Sequence, residues 1–144
     1  MADQEKMDVE AVIEQLNRAA SLQYRSVLQY LLAAGGGRGT HALAVGEQLW
    51  VYAQSELADT RLLVSKIVAL GGQPAIEPAA PAFHPQIEDA LDALIESEDE
   101  TLAALHAVIP HSGQEPASEG LEHLIEHLIM RKQNQVDVLR RARG

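Results

Sequence analysis

The sequence predicts an all-α protein, an antiparallel four-helix bundle made of two helical hairpins joined by a long crossover. Three observations carry that expectation. Glycine and proline cut the chain into four long segments. Each segment bears an apolar stripe at spacings of three and four. The middle connection has the reach to cross a whole bundle, whereas the outer two are short.

The first helix is expected over residues 8–34, opening at Asp8 as N-cap and stopped by the Gly35–Gly39 run. Its stripe reads Val9, Ile13, Leu16, Ala20, Val27, Leu31 and Ala34. The second spans 40–70 with Ala42, Val45, Leu49, Tyr52, Leu63, Ile67 and Leu70, and ends at Gly71-Gly72. The third, over 85–109, starts at Pro85 in a first-turn position, ends before Pro110, and shows Ile87, Leu91, Leu94, Leu102, Leu105 and Ile109. The fourth, over 117–143, shows Leu121, Leu124, Leu128, Leu139 and Ala142. Residues 71–84 separate the two hairpins, and this Pro- and Ala-rich stretch reaches about 46 Å at roughly 3.3 Å per residue. A helix of this size is about 43 Å long, so the linker can just cross the full bundle.

Composition limits the function classes. The 144 residues suit one domain, 1–144, and 47% are hydrophobic but only 3% aromatic, so Leu, Ile, Val and Ala must fill the core. Twenty-one acidic residues against eleven basic ones give a formal charge of −10, which argues against nucleic-acid and membrane-surface partners. Arg131, Lys132, Arg140, Arg141 and Arg143 cluster near the end of the last helix, where cations suit the dipole. The absence of cysteine removes disulfides and thiolate chemistry. The N-terminus from Met1 to Asp8 carries no apolar signal-peptide core, and no apolar run has membrane-spanning length, so a cytoplasmic location is expected.

Each stripe is interrupted near its middle by polar side chains. The interruptions are Gln23 on the first helix, Glu56 and Asp59 on the second, Glu98 on the third, and Lys132 and Gln135 on the fourth. Crossover topology puts all of them within about two turns of one level. The offsets also repeat: 33 and 36 residues from Gln23 to Glu56 and Asp59, then 34 and 37 from Glu98 to Lys132 and Gln135. Two structurally related hairpins would produce that repetition.

This arrangement resembles bacterioferritin and the wider ferritin-like superfamily, whose di-metal members take a Glu from one helix and Glu-x-x-His from the next, twice over. The stretch from Leu16-Asn17-Arg18 through Gln29-Tyr30, and the Leu70-Gly-Gly-Gln-Pro74 turn, are similar to the corresponding parts of that family. The likeness covers roughly Val12 to Leu139. By the same resemblance, Gln23 stands for a terminal Glu, Asp59 and Gln135 for the two histidines, and Lys132 for a bridging Glu. Only Glu56 and Glu98 are retained. Leu57 occupies the place of the haem-binding Met, and the chain ends at Gly144 with no fifth helix. Neither haem nor a 24-subunit shell is therefore expected.

Two functional expectations follow. The first is a bacterioferritin-like protein without conventional ferroxidase activity: a scaffold or partner-binding helical homodimer or higher homo-oligomer with a buried Glu/Asp/Lys/Gln network and no cofactor. The alternative is a metal-binding protein. In it Glu56, Asp59 and Glu98, with amide oxygens of Gln23 or Gln135, would hold one divalent cation (Mg, Mn, Ca or Fe), or iron would be oxidised or stored by unusual ligands. Three carboxylates against the Lys132 ammonium leave −2 inside the bundle, which a protonated carboxyl, water access or one divalent cation must answer. Other patterns carry less. His123-Leu-Ile-Glu126-His127 has the spacing of an inverted zinc-protease motif, but the stripe turns both His outward. Gly35–Gly39 lacks the strand and Lys-Ser/Thr of a phosphate loop. His41, His84, His106 and His111 sit near segment ends, Trp50 and Tyr52 read as core or dimer-interface residues, and Tyr30 matches a tyrosine near that family's metal site but by itself reads as a space-filling helix residue.

Overall fold

The computed structural model describes residues 5–144; the sequence reading of the first four residues lies outside them. Four helices follow in order: α1 (Val9–Gly36), α2 (Ala42–Ala69), α3 (Ile87–His106) and α4 (Pro116–Arg143), with a short 3-10 turn at Ile109–His111 between the last two. Asp8 caps α1 as expected, its carboxylate accepting from the Ala11 N–H at 3.2 Å. Four boundaries differ from the sequence reading by two residues or more, among them the start of α2 at Ala42 rather than Thr40. α1 runs on through Gly35 and Gly36, because Gly36 makes room for the Phe83 ring, which would lie 2.8 Å from a Cβ there. α3 begins at Ile87 rather than Pro85, since the Pro85 carbonyl accepts from Arg38 N–H at 2.8 Å and is held outside the helix. It ends at His106, and the Pro110 region winds into the 3-10 turn instead.

The crossover, residues 70–86, lies along α1 and climbs from one end of the bundle to the other. Asn17 bonds the backbone at Gln73 and Ala75, Ser21 bonds Glu77 and Ala79, and Tyr24 Oη donates to the Ala75 carbonyl at 2.7 Å. Gln29 then accepts from Ala82 N–H, and Arg38 pairs with the Pro85–Ile87 backbone. α2 and α3 therefore run parallel, and the molecule is the two-hairpin bundle that the linker length demanded. Gly71 releases the chain from α2 with φ of 90°, a left-handed turn that a side chain would strain.

The interior has three levels. Near the start of α1, Val12, Leu16, Leu63, Ile67, Leu105, Leu121 and Ile125 form one buried apolar cluster; near its end, Tyr30, Leu49, Ile87, Leu91, Leu94 and Leu139 form a second. Each fully buried Leu or Ile stabilises the fold by roughly 1.5–3 kcal/mol. Between the clusters lies a layer of buried polar side chains. Two stripe residues are not core, Val9 (39% exposed) and Leu31 (44%), and Trp50 at 43% also faces outward rather than into the bundle. Tyr52 is half-buried, edge-on to Tyr30 with ring centroids 5.8 Å apart.

Candidate functional site

All four helices feed the polar layer. α1 turns Gln23, Ser26 and Tyr30 inward on one face, spaced three and four apart; α2 contributes Glu56, Asp59 and Thr60; α3 contributes Ser97, Glu98 and Thr101; α4 contributes Lys132 and Gln135. Every one of these residues is buried. Hydroxyls that fall on the helices partly satisfy themselves: Thr60 Oγ1 donates to the Glu56 carbonyl at 2.6 Å and Thr101 Oγ1 to the Ser97 carbonyl at 2.9 Å.

The centre is the Lys132 ammonium. Nζ donates to both oxygens of Glu56, each at 2.8 Å, and to Glu98 Oε2 at 2.7 Å, so its three protons are directed at two carboxylates on two other helices. Gln23 Nε2 donates to Glu56 Oε2 at 2.7 Å. Ser26 Oγ donates to Glu98 Oε1 at 2.6 Å, and Tyr30 Oη to Glu98 Oε2 at 3.2 Å.

Burial and neighbouring charge set the protonation. Burial first, and then the charge of Glu98, push Glu56 up to about 8 against the pull of Lys132. Burial also acts to raise Glu98, but Lys132, Glu56 and Ser26 together overcome it and hold that carboxyl below its ordinary value. Burial works against the ammonium as well, yet the two carboxylates keep the Lys132 pKa above normal. Tyr30 is pushed up, by burial and then by Glu98 and Glu56. Near neutral pH the pair of carboxyls therefore carries one proton and one negative charge, which the ammonium balances.

Asp59 does not join this centre. Its Oδ1 lies 3.3 Å from Arg131 Nη1 in a partly buried ion pair, without hydrogen-bond geometry. The sequence count of −2 omitted Arg131. With Asp59 answered by Arg131 and one proton on the Glu56–Glu98 pair, the layer is neutral. Gln135 is buried next to the network without bonding it, and its Nε2 has no hydrogen-bond partner among the described residues; neither has Gln23 Oε1.

The sequence reading missed Ser26, Thr60 and Arg131 and took Tyr30 for a space-filler. A detectable signal existed for two of them, because Ser26 and Tyr30 recur three and seven residues after Gln23 and so share its face. Arg131 gave no such signal. The two His of the zinc-protease spacing, His123 and His127, are exposed, and His41, His84, His106 and His111 lie at helix ends or between helices.

Chemically, the centre of this arrangement is an ammonium held between two carboxylates. Among the described residues no three His, Asp or Glu side chains converge as a metal-holding group. Lys132 instead supplies the positive charge at the middle, joining α2, α3 and α4 through a single atom.

The ferritin-like domain model matches residues 13–141. A search of the curated protein sequences returns no match. Among solved structures the chain is similar to a ferritin-like diiron-carboxylate protein from Bacillus anthracis str. Ames, at a TM-score of 0.85 and 22% identity, over 95% of this chain and 98% of that one. It is similar to the dodecameric thioferritin of Bacteroides fragilis, a bacterioferritin-related protein, at a TM-score of 0.85 and 18% identity, over 95% and 86% of the two chains. It is also similar to the DPS protein of Vibrio cholerae O1, at a TM-score of 0.79 and 12% identity, over 92% and 88%. At such identities these likenesses speak for the fold.

Proposed function

The chain belongs to the ferritin-like family, and from that premise we propose that it is a member whose paired-metal chemistry has been replaced by a Lys132-centred clamp, leaving a helical scaffold that works through assembly or partner binding. One observation carries this reading: Lys132 Nζ lies within 2.8 Å of oxygens from both Glu56 and Glu98. A pair of divalent cations needs carboxylates bridging them. Here the two retained glutamates are committed to an ammonium, Asp59 to Arg131, and Gln135 is an amide. The residues present do not fit two metal ions.

The proposed assembly uses an apolar face on the outside of the first hairpin. Tyr24, Val27, Leu28, Leu57, Thr60, Arg61 and Val64 line a surface groove of about 420 Å³, in which Leu57 is 61% exposed. Exposed apolar surface of this kind marks an interface. A homodimer, or a higher homo-oligomer of the sort named for the thioferritin, is the proposed occupant. Light scattering should show Leu57→Glu shifted to a smaller species; a wild-type monomer would remove the assembly reading.

A second reading has one observation in its favour. Gln23 Oε1 and Asp59 Oδ1 are buried acceptors without hydrogen-bond partners, which a single divalent cation beside a displaced Lys132 would satisfy. Anaerobic Fe(II) titration followed by oxygen separates the two. The clamp reading expects no stoichiometric binding and no ligand-to-metal absorbance band. It also expects gain of iron affinity in the variant Gln23→Glu/Asp59→His/Lys132→Glu/Gln135→His. Stoichiometric iron uptake by the wild type would favour the second reading instead.

A further inference from the structure

On the side of the bundle away from the crossover, α2 and α4 leave a surface groove of about 240 Å³ between them, lined by Tyr52, Ser55, Arg131, Asn134, Gln135 and Val138. The α4 members recur at spacings of three and four, so they form one face of that helix. Among the described residues no carboxylate lines the groove. Five of its six side chains carry N–H or O–H donors. Gln135 lines the groove while only 5% exposed, and its Nε2 is buried without a hydrogen-bond partner among the described residues.

Charge at this place contrasts with the rest of a chain of net −10. Arg140 and Arg143 reach back to Asp99 and Asp92. Arg141, which makes no ion pair among the described residues, has its charge felt at the Tyr52 hydroxyl, on the groove wall. Arg131 is also in the wall, held on one side by Asp59 and with its side chain 37% exposed. A guanidinium fixed on one edge keeps other N–H groups free to donate.

We propose that this α2–α4 groove is a binding site for a small oxyanion, a phosphate or a carboxylate, with Arg131 and the Gln135 amide as direct donors and Arg141 as the attracting charge. The groove shares Gln135 and the Arg131–Asp59 pair with the polar layer, but its readout is anion binding rather than metal binding. Its donors match the oxygens of a compact anion.

Side-chain amide and backbone NMR of the intact protein, titrated with inorganic phosphate and separately with acetate at constant ionic strength, tests it. Saturable shifts at Ser55, Asn134 and Gln135 are expected, with phosphate and acetate telling the two sources apart. Arg141→Gln and Gln135→Leu should each weaken binding by about tenfold, the first by removing the attracting charge and the second by removing a donor, while Arg140→Gln leaves it unchanged. Shifts that do not saturate, that centre on Arg140 and Arg143, or that persist in Arg141→Gln and Gln135→Leu would overturn the proposal. So would shifts that depend on protein concentration alone, which would indicate a second copy in the groove.

Discussion

The two hairpins bring equivalent positions to the centre but with opposite polarity. In the first, the donor is on the leading helix and the acceptor on the following one, Gln23 to Glu56 at 2.7 Å. In the second the acceptor leads and the donor follows, Glu98 receiving Lys132 at 2.7 Å. The hairpins are joined where Lys132 meets Glu56. Two like-charged hairpins would need a cation from outside to sit together; two of unlike polarity supply it from within. The difference teaches that the layer balances its own charge only with Lys132 on the glutamate pair, Arg131 on Asp59 and one proton shared by Glu56 and Glu98.

The comparison can be broken most severely at that position. Lys132→Ala leaves two carboxyls buried and unanswered, and should cost about 3–5 kcal/mol at neutral pH in urea unfolding. The loss should shrink in acid, where both carboxyls are protonated. Removing the polarity from both hairpins at once sharpens the same point. Glu56→Leu/Glu98→Leu/Lys132→Met should cost less than Lys132→Ala, because no unpaired charge stays buried, although Gln23, Ser26 and Tyr30 lose their acceptors. Equal damage from the single and the triple variant would show that packing, not charge, dominates.

A subtler break concerns the proton on the first hairpin. Glu56 is held up to about 8 in the fold by burial and by Glu98, whereas an unfolded Glu titrates near 4.5. Between those values the folded state holds a proton that the unfolded state has released. The contribution of this group is therefore fully present below about pH 4.5 and falls as pH rises towards 8, by at most about 1.4 kcal/mol per pH unit. Glu56→Gln, which copies the protonated form, should flatten that decline. An unchanged pH profile would place the proton elsewhere.

Smaller effects complete the series. Gln23→Leu removes one buried donor to Glu56 and should cost about 1 kcal/mol. Arg140→Gln breaks an ion pair whose side chains are 57% and 49% exposed, and should stay within about 0.5 kcal/mol of wild type.

The bundle and its two-hairpin topology were legible because both follow from spacing: apolar residues every three or four positions, and a linker whose reach matches a helix. The depth of the polar layer was legible for the same reason, since Gln23, Glu56, Glu98 and Lys132 interrupt stripes that are otherwise apolar. Pairing was not. Asp59 and Glu56 look alike in a sequence, yet a turn of helix separates an exit towards Arg131 from a place on Lys132, and only coordinates give that direction. Arg131 escaped notice because a long side chain can answer a buried charge from a position at the rim. The helix ends failed where a neighbour decided them, at Gly36 under Phe83 and at Pro85 against Arg38.

The claim on which the rest stands is that a lysine ammonium fills the middle of this bundle. Nitrogen-15 NMR of the lysine side chains, with and without one equivalent of Mn(II), tests it most directly. The account predicts a slowly exchanging Lys132 ammonium signal at neutral pH that stoichiometric Mn(II) leaves sharp. Broadening of that signal by one equivalent of Mn(II), or its rapid exchange with water, would contradict it.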